Sequence, residues 1–286
     1  MDNKTQFLNN LFISAMGTQA LVYANNILIE LIEAVENPET PIERLVAIIE
    51  RDPGLTATIL KAANSSFYGL SKRVGTVKHA ITVLGFKTLK NLLITQSIKK
   101  AFVISNADIS INLWKHSLAT GIAAKYIISI NHAKYAEQAF IAGLLLDLGK
   151  FILMNFCEKE FQIIHRRITE NPYQYSTPLE IEIFGVDHQD IGDFFTRKWL
   201  LPDSVSDAIH FHHSLDLVTS NKEIVAACAL ANNIAKAAEI GRSTSGLIEF
   251  LPHWIYSLLG LDPNHFEYIV TRTKHKYDEL SPFISE

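Results

Sequence analysis

Cysteine is scarce in this chain. Its two cysteines, Cys157 and Cys228, lie far apart with no CxxC or other metal-type spacing. That excludes a disulfide framework and a structural zinc site, and leaves two buried thiols of the kind a cytoplasmic protein carries. Long hydrophobic runs are lacking as well. No stretch approaches the eighteen or so apolar residues of a spanning helix, so a membrane location is not expected. The opening MDNKTQFLNNLFISAM has Asn9 and Asn10 in its apolar part and no basic flank, and is not expected to act as a signal peptide. Glycine and proline, 13 and 9 residues, are too few and scattered for low-complexity sequence. No window alternates apolar and polar residues, so no strand is expected. A Gly-rich phosphate loop, a GxSxG elbow and any recognisable nucleic-acid module are also missing.

What is there is a 286-residue chain, 48% hydrophobic and 20% charged, which suffices for one large or two modest domains with a full core. Its periodicity is helical nearly throughout. Ile27, Leu28, Leu31, Ile32 and Val35 recur at helical spacing before NPET interrupts. Thr40, Pro41 and Glu43 read as cap, first-turn proline and capping-box acid of a helix whose core face is Leu45, Ile48 and Ile49. Asp52 and Pro53 repeat the device for a helix through Leu55, Ile59, Leu60 and Ala63. It ends in a turn where Asn64 caps the free carbonyls, Phe67 and Tyr68 bury, and Gly69 takes positive φ. Thr76 caps VKHAITVL, which Gly85 stops, and a further helix runs through Leu89, Leu92, Leu93 and Gln96. Near the end, KEIVAACALANNIAKAAEI (222–240) is an Ala-rich helix broken by GRSTSG, and two more helices follow. Ala227, Leu230 and Ile234 need a partner surface, so 220–286 is expected to pack on the preceding lobe.

Charge is unevenly distributed. The net charge is −4, yet Pro53 to Ala107 contains no Asp or Glu, whereas Lys61, Lys72, Arg73, Lys78, Lys87, Lys90, Lys99 and Lys100 contribute +8. If Lys72, Arg73, Lys78, Lys87 and Lys90 share a face, they can steer a nucleotide, a nucleic acid or an acidic protein surface. Ordinary solvated helix faces account for the same residues equally well.

AFIAGLLLDLGK (139–150) is too apolar for a surface and reads as one core helix. Asp147, near its end, requires a partner, because burying a bare carboxylate is costly. Gly149 suits a left-handed helix-closing turn, and Lys150 supplies a cation beside the helix C-terminus.

RDPGLTATILKAANSSFYGLSKRVGTVKHAITVLG (51–85), LWKHSLAT (113–120) and FIAGLLLDLGK, in this order, resemble the HDOD domain. This is the HD-related output domain of bacterial signalling proteins, and the resemblance covers most of residues 20–215. It implies an all-α fold of two lobes: an N-terminal helical bundle, taken as 1–105, and a lobe related to HD phosphohydrolases, taken as 106–286. It also implies a site. In HD hydrolases and the similar HD-GYP phosphodiesterases, the metal centre uses a lone His, a His-Asp doublet, further His residues and a late Asp. The matching positions are His116, Asp147, His188 and the pair His212 and His213. The doublet's His position is Leu146, the late Asp position is Asn232, and the HD-GYP tripeptide is absent.

These departures weigh against hydrolysis. A catalytic ion needs three or four fixed ligands and an open position for water. Leu146 offers no donor, and a neutral Asn232 carbonyl is a poor match for a divalent ion. No cofactor is therefore expected; the alternative is a divalent iron, manganese, zinc or magnesium ion on His116, Asp147, His188, His212 and His213. Adjacent residues on a helix diverge by about 100°, so only one of His212 and His213 is expected to face inward. Either His116 or Lys150 can compensate Asp147, and if His116 is the cation its pKa is raised. Phe194, Phe195 and Trp199 read as core. His79, His132, His165, His253 and His275 read as surface side chains. Two function classes follow: a catalytically degenerate signalling module that binds a protein partner or an anionic nucleotide, and a metal-dependent phosphohydrolase acting on a nucleotide or cyclic dinucleotide.

Overall fold

The computed structural model describes residues 3–17, 29–30, 33–34, 40–64, 74–86, 88–89, 92–93, 95–96 and 107–284, and every regular element among them is helical. The chain divides into two units, Met1–Thr18 with Phe102–Tyr277, and Gln19–Ala101 with Asp278–Glu286. The opening helix α1 (Asn3–Met16) falls in the larger unit, although the sequence had suggested grouping it with residues up to 105. Aromatic stacking explains this placement. Phe7 meets Phe184 at 5.7 Å between ring centroids and Phe12 meets Phe195 at 5.1 Å, while Lys4 pairs with Asp190 at 2.8 Å.

In the smaller unit, α2 (Ile42–Glu50), α3 (Pro53–Ala63) and α4 (Val77–Leu84) pack together through Leu45, Ile49, Leu55, Ile59 and Ile81. Asp52 caps α3, accepting from the Gly54 and Leu55 amides, and Thr76 caps α4 by accepting from His79 N. The expected box at Thr40 and Glu43 does not form. The helix starts one residue later than that pattern requires, which puts Glu43 at the second helical position, and Thr40 Oγ1 is left buried without a partner. Asn64 does more than cap α3. Its Nδ2 donates to Leu60 O and Val74 O, and its Oδ1 accepts from Val74 N at 2.7 Å, so one side chain clasps both ends of the intervening stretch. Phe67, Tyr68, Gly69, Lys72, Arg73, Lys87 and Lys90 lie outside the described residues, as does most of the expected helix from Ile27 to Val35. Of the basic group only Lys78 is described; it is exposed, 3.6 Å from Glu43.

The larger unit is built around α5 (Ala107–Ser129), which packs against α6 (Ala136–Leu144). Next come α7 (Leu148–Phe156), α8 (Glu158–Glu170), α9 (Ser176–Phe184), α10 (His188–Lys198) and α11 (Asp203–Phe211). The Ala-rich α12 (Lys222–Ala237) is buried against α5, α6 and α11, as its apolar face requires. Two further helices follow, α13 (His253–Leu259) and α14 (Pro263–Ile284), and Val270 and Tyr277 of α14 pack on Ala119, Ala235 and Ala238.

The apolar segment expected as a single helix is broken. α6 stops at Leu144, and Leu145 to Asp147 form a turn held by Leu146 N to Gly143 O and Leu148 N to Leu145 O. Gly149 is thus not a left-handed closing residue but part of the first turn of α7, with Lys150 beside it. An 18-residue window within Ala133–Phe156 does reach the length and apolarity of a spanning helix, contrary to the sequence expectation, but 89% of that window is buried inside the protein. Its apolarity serves the core.

Candidate functional site

The break at Asp147 delivers polar groups to the centre of the larger unit. His116 on α5 and Asn232 on α12 meet there, His116 Nε2 lying 2.8 Å from Asn232 Oδ1. The amide oxygen can only accept, so the imidazole carries its proton on Nε2 and leaves Nδ1 as an acceptor, buried and without a partner. Burial brings the pKa of His116 down to about 4, outweighing the opposite pull of Asp147 at 3.7 Å. His116 is therefore neutral near pH 7 and is not the cation that compensates the carboxylate.

Lys150 takes that role. Its Nζ lies 2.7 Å from Asp147 Oδ1, both residues being 2% exposed. Ser243 completes the arrangement, accepting from Lys150 Nζ at 2.8 Å and donating to Asp147 Oδ2 at 3.1 Å. Burial by itself raises the pKa of Asp147, but Lys150 above all holds the carboxyl well below the usual carboxylate range. The i, i+3 spacing across the start of α7 is what lets the lysine fold back onto its own turn. Gly149 between them has to be glycine, because a Cβ there would fall 2.1 Å from His188 O. That contact brings α7 against the start of α10.

A second set of groups adjoins the first. His188 begins α10 behind the N-cap Asp187, whose Oδ1 accepts from Asp190 N. Its Nδ1 contacts Glu180 Oε2 at 2.6 Å, and its backbone N–H donates to the same oxygen at 2.9 Å. His212 Nδ1 contacts Ile209 O at 2.8 Å, and His213 Nδ1 contacts Glu249 Oε2 at 2.5 Å. Burial works against the ionised form of both carboxylates, yet each ends at about 2: Glu180 through His188, and Glu249 through His213 and Lys236. Burial pushes the pKa of His212 well below its ordinary value and lowers that of His213. Each Nδ1 thus faces an acceptor, which turns Nε2 toward the other rings. His188 Nε2 and His212 Nε2 are 3.3 Å apart, and His213 Nε2 is buried without a partner. The expectation that only one of His212 and His213 faces inward does not hold. α11 ends at Phe211, so the helical divergence never applies to His213, and the two rings lie 4.0 Å apart.

All seven expected positions are thereby brought together, but three partners were missed. Glu180 sits in LEIEIF, where a carboxylate among apolar residues, fully buried in the fold, was a readable signal. Ser243 lies in the helix-breaking GRSTSG, whose composition marks a turn and no partner. Glu249 carries no sequence signal at all.

The donor set divides on whether it fits a metal. His188, His212 and His213 fit: their ligand atoms lie within 4.8 Å of one another, and each ring is oriented through Nδ1 by a carboxylate or carbonyl, as metal-binding imidazoles are. Three imidazoles suit zinc or iron. The other half does not fit. Leu146 is a buried hydrocarbon, Asn232 is engaged with His116, and the Asp147 oxygen nearest His188, at 3.5 Å, already carries the Lys150 ammonium.

An all-helical domain with an HD-type arrangement of His, Asp and Asn on α5, α7, α10 and α12 defines the class. The chain belongs to the HDOD domain family, whose sequence profile matches residues 21–215. It is 29% identical over 210 residues to an uncharacterised protein of Treponema pallidum (strain Nichols), a match covering 72% of this chain and 40% of that protein. The chain therefore spans less than half the length of that relative. Among solved structures it resembles a protein from Marinobacter aquaeolei VT8 named for signal transduction, with a TM-score of 0.78 and 20% identity over 100% of this chain and 67% of the other. It also resembles a protein from Shewanella amazonensis SB2B named as a phosphohydrolase, with a TM-score of 0.70 and 19% identity over 94% and 99%. At these identities the likeness is one of fold.

Proposed function

We propose that this chain is a signalling module that acts by binding a ligand or a protein partner and does not hydrolyse phosphoesters. The observation that carries this reading is the internal neutralisation of Asp147 by Lys150 at 2.7 Å and by Ser243. A carboxylate already satisfied by an ammonium is a weak ligand for a divalent ion, and bringing an ion beside that ammonium meets direct repulsion. The lone histidine is likewise committed to Asn232, and the residue immediately before Asp147 is Leu146, not a histidine. The test is elemental analysis of the purified protein together with a phosphodiesterase assay in added manganese or iron. The expected result is no turnover with or without metal; turnover that is lost in Asp147→Asn overturns the reading. The double variant Leu146→His with Asn232→Asp is expected to take up more metal than the unmodified protein.

A second reading has its own support. His188, His212 and His213, each held through Nδ1, are a donor set that a metal-dependent phosphohydrolase acting on a nucleotide or cyclic dinucleotide would require. Stoichiometric metal lost in His212→Ala, together with hydrolytic activity, favours it over the first. Metal without activity would make the three histidines a structural or sensing site inside the binding module.

A further inference from the structure

The segment after α12, residues 239–246, lies against α5 and has a cavity on each side. Two of its residues adopt left-handed backbone, Glu239 at φ 56° and Gly241 at φ 67°. A Cβ at Gly241 would fall 2.4 Å from Asn112 O and 2.5 Å from His116 N, so the backbone rests directly on α5. The Arg242 amide then donates to Asn112 O at 3.1 Å. The loop is fixed in place by its backbone, which leaves the Arg242 side chain exposed and free to meet a ligand.

The larger cavity, about 500 Å³, has chiefly polar walls that include His116, Lys236, Arg242 and Ser243. The smaller, about 200 Å³, is walled on one side by Ile109, Leu113 and Phe161. Asn112, Arg242 and Ser243 line both. The larger chamber lies within the range of about 300 to 1,000 Å³ typical of small-molecule sites. Lys236 on its wall pairs with Glu249 at 2.9 Å, whereas among the described residues no ion pair involves Arg242. Glu239 on the same wall and Asp108 in the smaller chamber are exposed carboxylates, screened by solvent as the exposed Arg242 is. His116 adds a buried Nδ1 that no described residue satisfies.

A guanidinium between a polar and an apolar chamber suits a molecule with an anionic head and a flat, weakly polar body. We propose that this two-chambered cavity binds a nucleoside 5′-monophosphate, its phosphate on Arg242 and Lys236 and its base in the smaller chamber against the half-buried Ile109. Arginine offers the forked donors that phosphate oxygens accept. The assignment rests on the binding-module reading above and gives it a ligand class. It also gives the ligand a route to the core, since Ser243 lines both chambers and its hydroxyl bonds Asp147 and Lys150.

The test is calorimetric titration of the full chain with AMP, GMP, CMP and UMP, and separately with adenosine and inorganic phosphate. At least one nucleotide is expected to bind saturably, and adenosine and phosphate more weakly. Arg242→Ala is expected to weaken the nucleotide about 10- to 100-fold, the loss of a hydrogen bond to a charged group, without lowering the melting temperature of the free protein. Ile109→Ser should weaken the nucleotide but not phosphate. Absence of binding at millimolar nucleotide, equal binding of phosphate and nucleotide, or an Arg242→Ala variant that binds as the parent does would each overturn the assignment. The two proposals fail separately: a nucleotide that binds here and is cleaved upholds this site and overturns the non-hydrolytic reading. Failure to bind without any hydrolysis does the reverse.

Discussion

Within one buried cluster, Asp147 is satisfied by an ammonium and a hydroxyl, while His188, 3.5 Å away, belongs to a trio of imidazoles whose Nε2 atoms turn toward one another. The first half is closed, every strong charge answered inside the protein. The second is open, with His213 Nε2 lacking any partner and His188 Nε2 facing another ring nitrogen. The comparison teaches that neighbouring groups of one buried cluster are satisfied in different ways, the carboxylate by a cation and the imidazoles by carboxylates and a carbonyl on Nδ1. Leu146 offers Asp147 no donor, and the buried carboxylate is compensated by Lys150 and by the Ser243 hydroxyl. His212 and His213, whose pKa values burial lowers, need no cation, since a neutral imidazole is far cheaper to bury than a carboxylate.

The strongest way to break this contrast is Lys150→Met. It leaves Asp147 charged at 2% exposure with the Ser243 hydroxyl but no cation, and is expected to lower stability by about 3 to 5 kcal/mol, read from urea denaturation. Adding Asp147→Leu to it should recover most of that loss. A single variant as stable as the parent would mean that Lys150 does not compensate the carboxylate.

Acid probes both halves at once, because the buried histidines His116, His212 and His213 and the buried carboxylates titrate in different windows. His116 has a folded pKa of about 4 against an ordinary 6.5, so the unfolded chain takes up its proton first, and stability falls as pH drops from 6.5 toward 4 by up to about 3 kcal/mol. Asp147, Glu180 and Glu249 have lowered folded pKa values, so their contribution is complete above the ordinary carboxylate range and is lost as pH falls below it, toward about 2 for Glu180 and Glu249. Denaturation curves from pH 7.5 down to 3 should decline in both ranges. Flat stability between pH 7 and 4 would contradict a buried neutral His116.

Gly149→Ala acts on the seam between the halves. Its Cβ would meet His188 O at 2.1 Å, so α7 and α10 must separate, at a cost of about 1 to 3 kcal/mol. The expected signature is a drop in melting temperature together with shifted ring resonances of His188 and His212. The smallest effect is expected at His213→Gln, about 1 kcal/mol, since Glu249 keeps Lys236 at 2.9 Å when the imidazole is gone. A loss as large as that of Lys150→Met would show that the open half is as tightly coupled as the closed one.

The sequence by itself determined the all-helical class, the caps at Asp52 and Thr76 and the burial of the Ala-rich α12. Each depends on residues within a few positions of one another, where periodicity and capping chemistry are local. It also pointed to the seven positions that converge, through the order of motifs the chain shares with its family. Only the tertiary structure decided which of them pair. Whether Asp147 takes His116 or Lys150 depends on a helix break at Leu145–Asp147 and on desolvation that leaves His116 neutral, neither of which has a local signature. Ser243 reaches Asp147 across 96 residues and Glu249 reaches His213 across 36. Contacts of that range form only once α5, α7 and α12 are packed, because a hydroxyl or carboxylate carries no preference for a distant partner until burial removes the water that otherwise satisfies it.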